Sequence, residues 1–82
     1  MKKSKRMRFE ANLAELRKLH KEFRLEVWEF SKIHYRVVGE LSVDYWPTTG
    51  RAWLVGSFDG AKPMTVAEVC GLAWGLKQDV DI

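Results

Sequence analysis

Residues 43–53 read VDYWPTTGRAW: an apolar run, a stop at Pro-Thr-Thr-Gly, and an immediate restart at Ala-Trp. Proline at the first loop position pre-sets the φ a turn needs, and the closing glycine supplies the positive φ that leads out of it. The stretch therefore predicts a β-hairpin in which Trp46 faces Arg51, Tyr45 faces Ala52, Asp44 faces Trp53 and Val43 faces Leu54. Successive side chains on a strand point to opposite faces. Val43, Tyr45, Ala52 and Leu54 then share one face, while Asp44, Trp46, Arg51 and Trp53 share the other.

Upstream, IHYRV at 33–37 and LSVDYW at 41–46 read as two further strands around Gly39. A three-residue loop ending in Gly39 pairs Arg36 with Glu40, Tyr35 with Leu41 and Ile33 with Val43, which keeps apolar residues together. A two-residue Gly39-Glu40 loop mixes the faces, because a slip of one residue reverses every side chain. Before a turn at Ser31-Lys32, Phe23, Leu25 and Val27 alternate with Arg24, Glu26 and Trp28, the period of a half-buried strand. AWLV at 52–55 is the fourth strand. The apolar face gains Phe23, Leu25, Val27, Tyr35 and Leu41. The other face carries Trp28, His34, Arg36, Glu40, Ser42, Asp44, Trp46, Arg51 and Trp53.

Helical periodicity flanks the strands. Phe9, Leu13, Leu16, Leu19 and Phe23 recur at spacings of three and four, one stripe of an amphipathic helix. Basic residues at 2–8 oppose the positive end of a helix, so the helix is expected over 7–22 behind a flexible basic tail at 1–6. GSFDGAKP at 56–63 reads as a loop. Thr65-Val66-Ala67-Glu68 is a capping box that starts a helix over 65–77, with Met64 and Val69 as a hydrophobic staple. Its buried stripe is Val66, Val69, Leu72, Ala73 and Leu76. Ala67, Gly71 and Gly75 form a small-residue row, whose cost in helix propensity implies close packing of another backbone. The expected fold is α+β over 1–82, one domain: a helix, a four-stranded antiparallel meander over 23–57, and a helix, in two layers.

At 82 residues such a domain buries only about 60% of its unfolded surface, so its stability is modest. No apolar run approaches the length of a membrane span, and the basic start has no apolar segment behind it; a soluble, cytoplasmic protein with no membrane partner is expected. Residues 1–24 hold nine basic and three acidic side chains, a net +6, against five and eight, a net −3, in the rest. Lys2, Lys3, Lys5, Arg6, Arg17, Lys18 and Lys21 thus make a basic surface that can meet phosphate or an acidic protein, or simply be solvated.

IHYRVVGELSVDYWPTTGRAW resembles a group of very small phage and prophage proteins in which an aromatic residue with Arg-Val, a glycine turn, an Asp-aromatic-aromatic run and Pro-Thr-Thr-Gly recur. The matching positions are Tyr35, Arg36, Val37, Gly39, Val43, Asp44, Tyr45, Trp46, Pro47, Thr48, Thr49 and Gly50, about a quarter of the chain. The resemblance implies a mobile-element origin, and accessory proteins of this kind bind host or defence machinery.

Catalytic patterns are thin. His20 and His34 lie on different elements, and with the lone Cys70 no zinc spacing arises, so no cofactor or metal is expected. His34, Asp44 and Ser42 can share the outer face, yet no oxyanion loop accompanies them. Cys70 reads as a core residue. A partner-binding face built from Trp28, Arg36, Trp46, Arg51 and Trp53 fits better, since rigid rings bury wide area. The competing possibilities are a helix folded over that face, or Trp46 stacked on Arg51 as a cross-strand cation–π pair. An open face suits a host or defence protein, a second copy of the chain in a homodimer, or single-stranded nucleic acid stacked on the tryptophans. Helix, strands and helix are similar in outline to a double-stranded RNA-binding domain, but PMTVAEV lacks the basic residues such domains carry at the last helix.

Overall fold

The computed structural model describes residues 5–75. α1 (Lys5–Glu22) is followed by β1 (Glu26–Ser31), β2 (His34–Val38), β3 (Ser42–Trp46), β4 (Arg51–Leu54), β5 (Lys62–Pro63) and α2 (Val66–Trp74). The strands form one antiparallel sheet in the order β1-β2-β3-β4-β5. The α+β reading holds, with five strands in place of four. β5 lies inside the expected loop: the chain turns at Val55-Gly56 and bends at Phe58-Asp59, not at the expected Asp59-Gly60, and Lys62 and Pro63 pair with Ala52 and Arg51. Two residues, one a proline, carry no periodicity, and an edge strand tolerates proline because no neighbour needs its N–H.

The β3–β4 register is the expected one, Trp46 with Arg51 through Val43 with Leu54. The β2–β3 register is not. Tyr35 pairs with Tyr45, Arg36 with Asp44, Val37 with Val43 and Val38 with Ser42, so the loop is Gly39-Glu40-Leu41. The slip moves each partner by an even number of residues and leaves both faces intact.

Both helices cover the aliphatic face. Leu16 of α1 and Val66, Val69, Cys70 and Ala73 of α2 are buried with Leu25, Tyr35, Val37, Val43, Tyr45 and Ala52. Leu13, Leu19, Phe23, Val27, Leu54, Met64 and Leu72 pack around them. Asn12 Nδ2 donates to the Pro47 carbonyl at 2.9 Å, tying α1 to the β3–β4 turn.

Two elements begin where the sequence pattern does not place them. α1 starts at Lys5, inside the basic run expected as a tail at 1–6; residues 1–4 lie outside the described residues. β1 starts at Glu26 because Phe23 and Arg24 terminate α1. The Leu25 N–H donates to His20 O at 2.8 Å and Arg24 N–H to Lys21 O at 3.2 Å, a helix stop with Arg24 at φ 60 in the position glycine usually fills. The alternation read from Phe23 to Trp28 is thus a helix cap joined to a strand. Farther on, a bulge between Glu29 and Ser31 carries the turn to Lys32-Ile33.

α2 begins as expected: the Glu68 N–H donates to Thr65 Oγ1 at 3.1 Å and the Thr65 N–H to Glu68 Oε1 at 2.8 Å. It ends earlier, at Trp74, with Gly75 at φ 89 as its left-handed cap. Gly75 thus ends the helix instead of extending a packing row, and Leu76 and Lys77 lie outside the described residues. Ala67 and Gly71 line a groove of about 600 Å³ beside Pro63 and Met64.

Gly39 serves close approach. The Leu41 N–H donates to Ala73 O at the end of α2 at 3.0 Å. A Cβ on Gly39 would collide with Leu25 Cδ2 and come within 2.6 Å of Ala73 O. Gly39→Ala is expected to cost about 1–3 kcal/mol as the helix end shifts, which thermal denaturation reads as a Tm lower by at least about 5 °C. Arg24→Gly relieves a left-handed arginine and is expected to add about 0.5–1 kcal/mol, seen as a higher Tm in the same measurement.

Candidate functional site

Alternation that buries Val43 and Tyr45 under the helices sends Asp44 to the opposite face, and the registers line up what surrounds it. Trp28 pairs with Arg36, Arg36 with Asp44 and Asp44 with Trp53, one row across four strands. Phe30, His34, Trp46 and Arg51 fall in the next row. Among the described residues, both helices pack on the opposite face.

The two rows are held by a small polar core. Arg36 Nε donates to Asp44 Oδ1 at 2.6 Å and Nη2 to Oδ2 at 3.3 Å, a two-pronged pair suited to the planar guanidinium. Asp44 is only 4% exposed, the one buried charged side chain among the described residues. Its hydrogen bond raises the Arg36 pKa further above its ordinary value. His34 Nε2 lies 3.3 Å from Asp44 Oδ2. The imidazole stacks on Trp46 with centroids 4.7 Å apart and receives Phe30 edge-on at 4.9 Å. The Arg36 guanidinium sits 5.0 Å from the centre of the Phe30 ring.

Sequence reasoning placed Trp28, Arg36, Trp46, Arg51 and Trp53 on this face, and all five are there. Their exposure is uneven. Trp28 and Phe30 on β1 are each 48% exposed, whereas Trp46 and Trp53 are more enclosed. The cation–π partner is Phe30 with Arg36, not Trp46 with Arg51; Arg51 Nη1 donates to Ala61 O at 3.3 Å. Phe30 was missed because the expected strand ended before it, and the signal was present: Trp28 and Phe30 are two residues apart. Trp28 Nε1 donates to Glu26 Oε1 at 3.1 Å, leaving the ring itself presented.

Both edges of the sheet are guarded. Glu29 sits opposite Tyr35 on the helix-covered face, beside the β1 bulge, and Pro63 closes the other edge. A charge on the edge strand, a bulge and a proline each discourage another strand from adding. The face, not an edge, is what the sheet offers.

The basic residues lie elsewhere. Arg6, Arg17, Lys18 and Lys21 are exposed on α1, behind the sheet. Lys5 starts α1, and Lys2 and Lys3 lie outside the described residues.

The catalytic constellation does not assemble. His34 and Asp44 are adjacent, but Ser42 pairs with Val38 at the other end of the strand, about 13 Å along β2 from His34. Among the described residues no group of three or more His, Cys, Asp or Glu is placed to hold a metal. No helix among them is long and apolar enough to cross a membrane. No family model, curated protein or solved structure matches the chain.

Beneath the face, burial pushes the Cys70 thiol up to about 11 and the Tyr45 phenol up to about 12, with Glu15 adding to both. Tyr35 is raised by burial and then by Glu29, against the pull of Arg17. For Cys70 and Tyr45 the folded state holds the proton more tightly than the unfolded chain, whose groups ionise near 9 and 10. Their contribution to stability is therefore fully present below about pH 9 and is lost as the pH rises through 11 to 12. Tm measured against pH should fall across that window, and Cys70 should resist alkylation at neutral pH while the chain is folded.

Proposed function

We propose that this chain is a non-catalytic phage or prophage accessory protein that acts by docking its aromatic sheet face on a host or defence-system protein, in the cytoplasm of the host cell. The open face carries the reading: Trp28 and Phe30 are half exposed on a rigid strand, with both helices packed on the other side. Rings fixed in place lose little entropy on binding, and tryptophan and arginine are the residues that dominate protein interfaces. Inhibition by occlusion follows, since a small domain with a flat aromatic face can cover a working surface. A CRISPR effector is one target of this class. The hairpin residues 35–50 that resemble phage proteins contribute Arg36, Asp44 and Trp46 to this face.

The alternative, a nucleic-acid-binding protein, requires the basic helix and the aromatic face to act together. They lie on opposite sides of the sheet, and on the face itself Arg36 is neutralised by Asp44. A phosphate chain stacked on the rings would find Arg51 as the arginine there held by a carbonyl, not by a carboxylate.

Capture from host lysate with wild-type chain, Trp28→Ala/Phe30→Ala and Lys18→Ala/Lys21→Ala discriminates the readings. A protein retained by wild type and by the lysine variant, and reduced at least about tenfold in the aromatic variant, supports face docking. Retention unchanged in the aromatic variant sinks it. Oligonucleotide binding that weakens steeply with salt and is lost in the lysine variant would favour nucleic acid.

A further inference from the structure

The basic start of α1 meets the β1–β2 turn and the β3–β4 turn at one end of the sheet. Arg6, Phe9, Lys32, Ile33 and Thr48 line a groove there of about 330 Å³. Ile33 is 51% exposed, an isoleucine turned to solvent at the tip of a hairpin. Two cations flank two apolar side chains, and no carboxylate is in the lining. The nearest acidic contact is Glu10, whose Oε2 is 3.5 Å from Arg6 Nε in an exposed pair. Such a pair is readily exchanged for another carboxylate.

α1 has no acidic residue in its first turn. Neither cations alone nor apolar residues alone explain the lining: a free phosphate has no use for Phe9 and Ile33, and an aliphatic surface has none for Arg6 and Lys32.

We propose that this groove binds an acidic peptide segment bearing a bulky apolar side chain, the apolar group against Phe9 and Ile33 and the carboxylates against Arg6 and Lys32. This rests on the reading of the chain as a protein-binding module and gives its partner a chemistry: aromatic-compatible where it meets β1, acidic where it passes the end of the sheet.

The test is amide chemical-shift titration of the whole chain with acetyl-Glu-Glu-Leu-Phe-Glu-Glu-amide, with its lysine counterpart, and with inorganic phosphate. The acidic peptide should shift Phe9, Lys32, Ile33 and Thr48 saturably, more weakly as salt rises. Arg6→Ala/Lys32→Ala and Ile33→Asn, all exposed positions, should each weaken it about tenfold with unchanged circular dichroism. Absence of shifts, equal binding of the lysine peptide, equal binding of phosphate, or the same shifts produced by raising protein concentration alone would each overturn the proposal. Trp28→Ala/Phe30→Ala should leave the titration unchanged, so loss of lysate capture in that variant and loss of peptide binding in the groove variants fail or succeed separately. If the aromatic variant abolishes peptide binding, the peptide sits on the face and the groove assignment is wrong.

Discussion

The structure depends on β3 being enclosed from both sides. Val43 and Tyr45 are sealed under the helices, and Asp44, pointing the other way, is sealed under Arg36, His34 and the neighbouring rings. A strand has only two faces, so a carboxylate in its centre must find its partner on the face the aliphatic residues do not use. Arg36 supplies it from the adjacent strand in the register that also aligns Trp28 and Trp53. Burying a carboxylate without such a partner is costly. The pair thus commits the outer face to polar and aromatic company and leaves the helices one side on which to pack.

That commitment separates two surfaces of different chemistry. The outer face is aromatic and carries little net charge, because Arg36 is paired with Asp44 and the Glu26 carboxylate beside Trp28 offsets Arg51. Behind the sheet, α1 carries exposed cations at Arg8, Arg17, Lys18 and Lys21. The apolar residues Phe30 and Ile33 and the Arg6–Lys32 groove lie toward the β1–β2 end, where the two surfaces come nearest. A partner that engages both must reach around the end of the sheet, not across an edge blunted by Glu29, the bulge and Pro63.

Two backbone positions join the layers. Gly39 lets the end of α2 reach the β2–β3 loop, where the Leu41 N–H meets Ala73 O. Arg24 takes a left-handed conformation to turn α1 into β1. Glycine is the residue that relieves this strain in general, and its presence at one junction and not the other indicates that the first is limited by space and the second only by local conformation.

The order helix, antiparallel strands, helix, the face assignment of every outer tryptophan and the β3–β4 register were legible in the sequence, because strand alternation, turn residues and the capping box are local and depend on neighbours a few positions away. The β2–β3 register was not: two even-numbered slips satisfy the same alternation, and the choice falls to the contact of Gly39 and Leu41 with α2, more than thirty residues later. Nor was the start of β1, since a helix cap at Arg24 mimics a strand's period, nor β5, which has no pattern of its own and exists through pairing with β4. The sequence by itself determined which rings leave the core. Tertiary structure decided how far each is exposed, because that depends on where the strands sit in the sheet: Trp28 and Phe30 stand open on the edge, while Trp46 on β3 has a strand on each side and Trp53 is more enclosed beside Asp44.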